Sequence, residues 1–235
     1  MAKAAKAAGV SRVVMTSNFG AVGYSHKNPN ELITEESWTD PNEKNLNAYL
    51  KSKVLAEMAA WEFIKTNGGN LELSVINPAG IFGPLLGTDL SSGHELLHKL
   101  LDGSMKSVPK IPMGIVDVRD VADLHILAMT NPKAAGQRFL ALAGGTYTLP
   151  EIALLLKEKM GSKAKKVSTK VLPDWIVRIA ALFNPQAKQA VSQLGKNKNA
   201  SNKKARTLLG WKPRSNEQAI LSAAESILKF YPLNT

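Results

Sequence analysis

Two short apolar runs constrain this chain more than anything else in it: Val13-Val14-Met15-Thr16 and Leu71-Glu72-Leu73-Ser74-Val75-Ile76. Runs of this length, rich in β-branched residues, are typical of strands buried in a parallel sheet. Between them lies a helical pattern from about Leu46 to Thr66, stopped by Gly68-Gly69. Strand, crossover helix and strand make a βαβ unit, which puts both strand ends on the same edge of the sheet. Those ends are polar, Thr16-Ser17-Asn18 and Asn77-Pro78-Ala79-Gly80. In open α/β sheets ligands bind at the carboxyl ends of the strands. A loop that merely caps its own backbone through Ser17 and Asn18 is the plainer alternative.

The crossover helix carries its own signal. Leu50, Val54, Met58 and Trp61 form one apolar stripe, and Tyr49, Lys53, Ala56 and Ala60 form a neighbouring face. Tyr49 and Lys53 lie four apart, about 5–6 Å between Cβ atoms on one helix face. A lysine ammonium beside a phenol favours the phenolate, and tyrosine works as a proton donor near neutrality only when its pKa falls from about 10. One exposed charge is too weak for that, so the pair is expected in a partly dry site.

Further along, Gly80-Ile81-Phe82-Gly83-Pro84 imitates a dinucleotide glycine loop, but the spacing is wrong and Pro84 stands where the phosphate-binding helix should run. His94-Glu95-Leu96-Leu97-His98 matches the H-E-x-x-H of zinc peptidases. Leu101 replaces the glycine of the extended motif, and Asp117, Asp120 and His125 form no recognisable third-ligand motif. The stripe Leu96, Leu97, Leu100 and Leu101 is expected to leave the histidines near the surface, and no metal is expected. Gly114-Ile115-Val116-Asp117-Val118 reads as a short strand, Asp120 as the N-cap of a helix from Val121 to Met129, and Arg138 to Leu142 as another parallel strand. A helix follows from Leu149-Pro150-Glu151 to Met160.

The chain has 235 residues, 44% of them apolar, and no cysteine, which excludes disulfides and thiol nucleophiles and fits a reducing, cytoplasmic setting. No apolar run approaches the roughly 18 residues needed to span a bilayer, and the first residues lack a secretory pattern. Residues 1–150 are balanced, with 14 basic and 14 acidic side chains; residues 151–235 hold 16 and 5, the whole net charge of +11. Lysines spread singly over helices form a solvated face, so no nucleic-acid partner is expected.

Taken in order, Val13-Val14-Met15-Thr16-Ser17, Tyr49-x-x-x-Lys53, Asn77-Pro78-Ala79-Gly80-Ile81-Phe82-Gly83-Pro84, Val116-Asp117-Val118-Arg119-Asp120-Val121-Ala122 and Leu208-Leu209-Gly210-Trp211-Lys212-Pro213 resemble the extended short-chain dehydrogenase/reductase family. Ser52-Lys53-Val54-Leu55-Ala56-Glu57 with Ala59-Ala60-Trp61-Glu62-Phe63 is similar to its branch of dihydroflavonol, cinnamoyl-CoA and aldehyde reductases. The resemblance implies an α/β fold: the carboxyl part of a doubly wound Rossmann-type sheet over residues 1–150, with substrate-binding segments at about 84–113. A basic helical substrate lobe would occupy 151–235.

It also implies NAD(P)H-dependent reduction of an aldehyde or ketone, NADPH being the cofactor favoured by resemblance. A sugar-nucleotide epimerase or dehydratase of the same family is the alternative; outside it stand a zinc hydrolase and a basic nucleic-acid-binding module. Tyr49 would protonate the carbonyl oxygen, Lys53 would hold the nicotinamide ribose and depress the Tyr49 pKa, and Ser17 or Asn18 would orient the carbonyl. Thr16, Pro78, Gly80 and Ile81 would meet the cofactor, and Ser92, at a helix start, its phosphate. Two departures stand out. No G-x-x-G-x-x-G turn is present, so roughly four strands of the usual half are expected to be missing. Similar enzymes read T-S-S where this chain has Thr16-Ser17-Asn18. A chain lacking that half is expected to self-associate and to bind the dinucleotide weakly.

Overall fold

The computed structural model describes residues 1–232 except 27, 29, 45, 185, 186, 188, 189 and 192. The first elements are α1 (Ala2–Ala7), β1 (Arg12–Thr16), α2 (Ala48–Asn67), β2 (Glu72–Pro78), β3 (Gly80–Phe82) and α3 (Ser92–Leu101). Then come β4 (Val108–Pro109), β5 (Pro112–Met113), β6 (Ile115–Asp117), α4 (Val118–Thr130), β7 (Arg138–Ala141), β8 (Tyr147–Thr148) and α5 (Leu149–Met160). The described part ends with β9 (Val171–Leu172), α6 (Asp174–Ala180), α7 (Lys203–Leu209) and α8 (Asn216–Phe230). The class is α/β with parallel strands.

Two units are interleaved along the chain. One takes Met1–Ala79, Arg119–Leu142 and Asn197–Pro213; the other takes Gly80–Val118, Ala143–Lys196 and Arg214–Thr235. The family resemblance implies a boundary at residue 150 with substrate-binding segments at about 84–113 interleaved in the first part.

The first unit is built on a parallel sheet in the order β1-β2-β7. β1 pairs with β2 from Arg12↔Glu72 to Thr16↔Ile76, and β2 with β7 from Val75↔Arg138 to Pro78↔Ala141. β2 is buried without alternation from Leu73 to Pro78, as a strand covered on both faces must be. Arg12 ties β1 to the end of α4: its guanidinium pairs with Glu72 at 2.7 Å and donates to the carbonyls of Ala128 and Asn131. The last carbonyls of a helix lack partners within it and carry its negative pole, so a cation there meets both needs. Gly210 ends α7 in the left-handed region at φ 69°, which lets Trp211 turn in and donate its indole N–H to the Asp120 carbonyl at 2.9 Å.

The second unit packs α3, α5 and α8 around Phe82 and Ile115, with Leu97, Leu100, Ile152, Leu156, Ile220 and Ile227 fully buried. β3 and β6 pair in parallel, and a Cβ on Gly93 would stand 2.8 Å from the Ile81 carbonyl, so α3 approaches β3 as closely as a glycine allows. Both α5 and α8 begin with capping boxes, Thr148 with Glu151 and Ser215 with Gln218. The Thr148 hydroxyl, donating at 2.6 Å, holds the Glu151 carboxyl below its ordinary range.

Two local expectations are corrected. Asp120 is not an N-cap: α4 begins at Val118, directly after the buried Asp117, which leaves Asp120 buried in its first turn. His94 is not near the surface. It is 6% exposed, because the apolar stripe of α3 packs the start of the helix against the Gly83 turn.

β1 is an edge strand among the described residues, and its residues are partly exposed while those of β2 are buried. Unpaired strand edges template pairing with other chains. The isolated chain is therefore expected to self-associate. Sedimentation velocity over a concentration series checks this, and a single monomeric species throughout would contradict it.

Candidate active site

The site is best assembled from the end of β1. The ladder continues one residue past Thr16, with Ser17 N–H donating to the Ile76 carbonyl at 2.7 Å. Asn18 is extended, and its Oδ1 accepts the Gly20 N–H at 2.7 Å, capping a 3-10 turn over Phe19–Ala21. Only the side-chain oxygen can accept that bond, so the cap fixes the amide orientation and leaves the Nδ2 donors outside the cap. A Cβ on Gly20 would collide with Leu50, so α2 lies against this turn at the residue after Tyr49.

Asn47 caps α2 by accepting the Leu50 N–H at 2.8 Å. Tyr49 stands in the first turn and Lys53 one turn later, its Nζ 5.3 Å from the centre of the phenol ring. The pair thus forms as the four-residue spacing predicts. Its surroundings differ from the expectation: Tyr49 is 58% exposed, because the first-turn face opposite Leu50 and Val54 has no cover.

Behind the pair lies a buried polar network. Glu57, a further turn along α2, is fully buried. Its Oε2 accepts from the Ser17 hydroxyl at 2.5 Å and from Asn77 Nδ2 at 2.7 Å. Its Oε1 accepts from Arg138 Nε at 2.6 Å and Trp61 Nε1 at 3.3 Å. Asn77 Nδ2 also reaches the Asn18 carbonyl at 3.3 Å. Arg138 donates to the carbonyls of Glu35 and Ser37 and lies 3.7 Å over the Trp38 ring. Burial lowers the Arg138 pKa, and the Glu57 carboxylate opposes that. One carboxylate therefore joins α2 to the ends of β1 and β2 and to the start of β7.

The other residues singled out from sequence fall as follows. Thr16 bonds His125 Nε2 at 2.7 Å; His125 Nδ1 is 2.8 Å from the Val121 carbonyl, so Nδ1 carries the proton and Thr16 donates to Nε2. Pro78 is buried at the end of β2. Gly80 and Ile81 belong to β3 and Ser92 opens α3 as an exposed residue, all three in the second unit. In the H-E-x-x-H stretch, His94 spends both nitrogens, on the Ser91 hydroxyl at 2.7 Å and the Gly83 carbonyl at 2.8 Å. His98 sits beside Asp102 and the Tyr231 ring. No set of three metal-ligating side chains occurs among the described residues.

Glu57, Asn77 and Arg138 escaped the sequence reading. The available signal was a glutamate between Val54 and Trp61 on the apolar side of α2, and an arginine opening a strand that otherwise reads as buried.

The profile of the 3-beta hydroxysteroid dehydrogenase/isomerase family matches residues 1–149. The chain belongs to the extended short-chain dehydrogenase/reductases. Within that family it is 38% identical over 159 residues to cinnamoyl-CoA reductase CAD2 of Medicago truncatula, covering 66% of this chain and 47% of that protein. It is 31% identical to the NADPH-dependent methylglyoxal reductase GRE2 of Saccharomyces cerevisiae, covering 94% of this chain and 64% of the relative. The chain thus spans about half to two thirds of the length of these reductases. The crystal structure of yeast Gre2 with NADPH superposes with a TM-score of 0.75 at 28% identity, covering 94% of this chain and 64% of that one. Among the described residues no helix is long and apolar enough to cross a membrane.

One titration follows from the network. Burial raises the Glu35 pKa, opposed by the Leu140 N–H that donates to its Oε1 at 3.1 Å. A carboxyl with a raised folded-state pKa contributes stability below its ordinary range, lost as pH rises through the folded value. Glu35→Gln keeps an oxygen for Leu140 and removes that loss. Urea midpoints should favour the variant over the parent more at pH 7 than at pH 4; the opposite ordering would refute it.

Proposed function

We propose that this chain carries the proton-donating site of an NAD(P)H-dependent reductase of aldehydes or ketones. The observation that supports it most is the Lys53 ammonium over the Tyr49 ring, on the helix that packs against the Asn18 turn at the carboxyl end of β1. The residues present fit a dinucleotide: Lys53 is half-buried and has no carboxylate within ion-pair reach among the described residues, so its donors are free for ribose hydroxyls. The bound nicotinamide supplies the hydride that reduces the carbonyl carbon. NADPH is the form used by the yeast relative and the one to test first.

Tyr49 gives its phenolic proton to the carbonyl oxygen, which completes the alcohol. Lys53 lowers the cost of the phenolate left behind, because an opposite charge nearby favours the ionised form. Asn18 Nδ2 donates to the same oxygen, and that bond strengthens as negative charge develops. Asn18 suits this better than Ser17, whose hydroxyl proton is committed to Glu57. Of the two family readings the reductase is favoured: the two relatives named above are reductases, whereas a nucleoside-diphosphate-sugar epimerase of Pseudomonas aeruginosa is alike at 17% identity, which speaks to fold alone. The relatives make methylglyoxal and cinnamoyl-CoA the first compounds to assay.

Tyr49→Phe should abolish NADPH consumption with an aldehyde while leaving NADPH affinity, read by nicotinamide fluorescence, within about twofold. Lys53→Ala should weaken both. Turnover by Tyr49→Phe within tenfold of the parent would end the assignment.

Asn18→Ser should retain activity, since a hydroxyl can donate from the same place. Asn18→Leu should lose roughly 10²–10³-fold in kcat, as when an oxyanion donor is removed. An unchanged kcat for Asn18→Leu would show that the amide does not touch the carbonyl.

A further inference from the structure

Asn18 is held by its own turn, whose Ala21 N–H donates to its carbonyl at 2.9 Å, and by two polar contacts that lead back to one carboxylate. The residue before it, Ser17, donates to Glu57 Oε2 at 2.5 Å. Its own carbonyl accepts from Asn77 Nδ2 at 3.3 Å, and that same Nδ2 donates to Glu57 Oε2 at 2.7 Å. Its Oδ1 is taken by Gly20 N–H. What remains is Nδ2, the group that meets the carbonyl in the function proposed above. Glu57 in turn follows Lys53 by one helical turn and Tyr49 by two, so the helix bearing the proton donor and the turn bearing the carbonyl donor are fastened to each other at its carboxylate.

We infer that Glu57 is a positioning residue of the reductase site: it sets where Asn18 Nδ2 stands relative to Tyr49 and Lys53. This rests on the function proposed above and adds a residue that touches neither substrate nor cofactor. A carboxylate has about four acceptor sites, and here Ser17, Asn77, Arg138 and Trp61 take all four. The arrangement leaves no slack through which the turn could drift. It also accounts for an acid in a fully buried place one turn from the Tyr–Lys face, where an apolar residue would pack as well.

Glu57→Gln is the informative substitution. Its remaining oxygen serves Arg138 and Trp61, and its new NH₂ faces Ser17 and Asn77. Ser17 can rotate to accept. Asn77 Oδ1 has no hydrogen-bond partner, so that amide can flip and accept as well. The flip withdraws Nδ2 from the Asn18 carbonyl, which keeps its Ala21 N–H but loses its tie to the network, while most of the network stays bonded.

The test is a double-mutant cycle in the protein with NADPH and an aldehyde. Glu57→Gln should lower kcat roughly tenfold to hundredfold, with NADPH affinity by nicotinamide fluorescence within about twofold of the parent. In an Asn18→Ala background it should cost no more than about twofold further in kcat, because the group it positions is gone. Thermal midpoints, measured alongside, should fall by the same amount in either background. If the kcat losses multiply in the double variant, or if Glu57→Gln alone leaves kcat unchanged, Glu57 is only a packing residue and the inference fails. If Glu57→Gln does not accumulate as folded protein, Ser17→Ala severs the same link without disturbing Arg138, and the same cycle applies to it. Full activity in Asn18→Ala would overturn the carbonyl-donor reading and this inference together. Loss in Asn18→Ala with independent, multiplying loss in Glu57→Gln would overturn the positioning role alone.

Discussion

The first unit depends on a charge that has no access to water. Glu57 and Arg138 meet at 2.6 Å in the interior, 81 residues apart in sequence. Stripping two ions of water is expensive, and their attraction compensates only when the remaining donors and acceptors are also matched. Here the matching is nearly complete. Glu57 collects Ser17, Asn77 and Trp61 besides Arg138, and Arg138 collects two carbonyls and the face of Trp38. Removing one member of such a pair leaves an uncompensated buried ion, on the order of 3–5 kcal/mol. That is a large fraction of the usual stability of a domain.

The candidate site lies at the rim of this network and not within it. Tyr49 is exposed and Lys53 and Asn18 are half-buried, on elements that share the buried Glu57. In the function proposed above, groups that would meet a ligand keep some access to solvent, while the carboxylate behind them is dry. Arg12 does similar work at the other end of the sheet, holding β1 to the last turn of α4.

Much of this was legible in the residues. β1, β2 and β7 announce themselves as apolar runs, and the Tyr49–Lys53 pair follows from the period of the helix between them. The order of five short motifs pointed to the family before any coordinate was considered. What could not be read were contacts decided by distant partners. Glu57 stands on the apolar side of its helix, but the partner that explains it, Arg138, lies 81 residues away. His94 looks like a ligand until the Gly83 carbonyl and the Ser91 hydroxyl take its nitrogens. Asp120 has every property of a cap, yet the strand before it passes into helix three residues earlier than its chemistry suggests. The second departure in the active-site triplet was visible as Asn18. Its consequence was not, since the cap to Gly20 that orients the amide depends on backbone geometry.

The interleaving of the two units has a consequence for how the chain acquires its shape. Arg12 and Glu72, which pair β1 with β2, are 60 residues apart; Asn202, which bonds the Leu142 carbonyl after β7, is again 60 residues from its partner. The sheet therefore has no local hairpin from which to start. Closing loops of that size costs entropy before any pairing repays it, which slows folding. Because Asn197–Pro213 belongs to the first unit, a ribosome must make almost the whole chain before that unit can close. Until then the nascent apolar strands stand open, and the protein's yield in a cell is governed by what shields them.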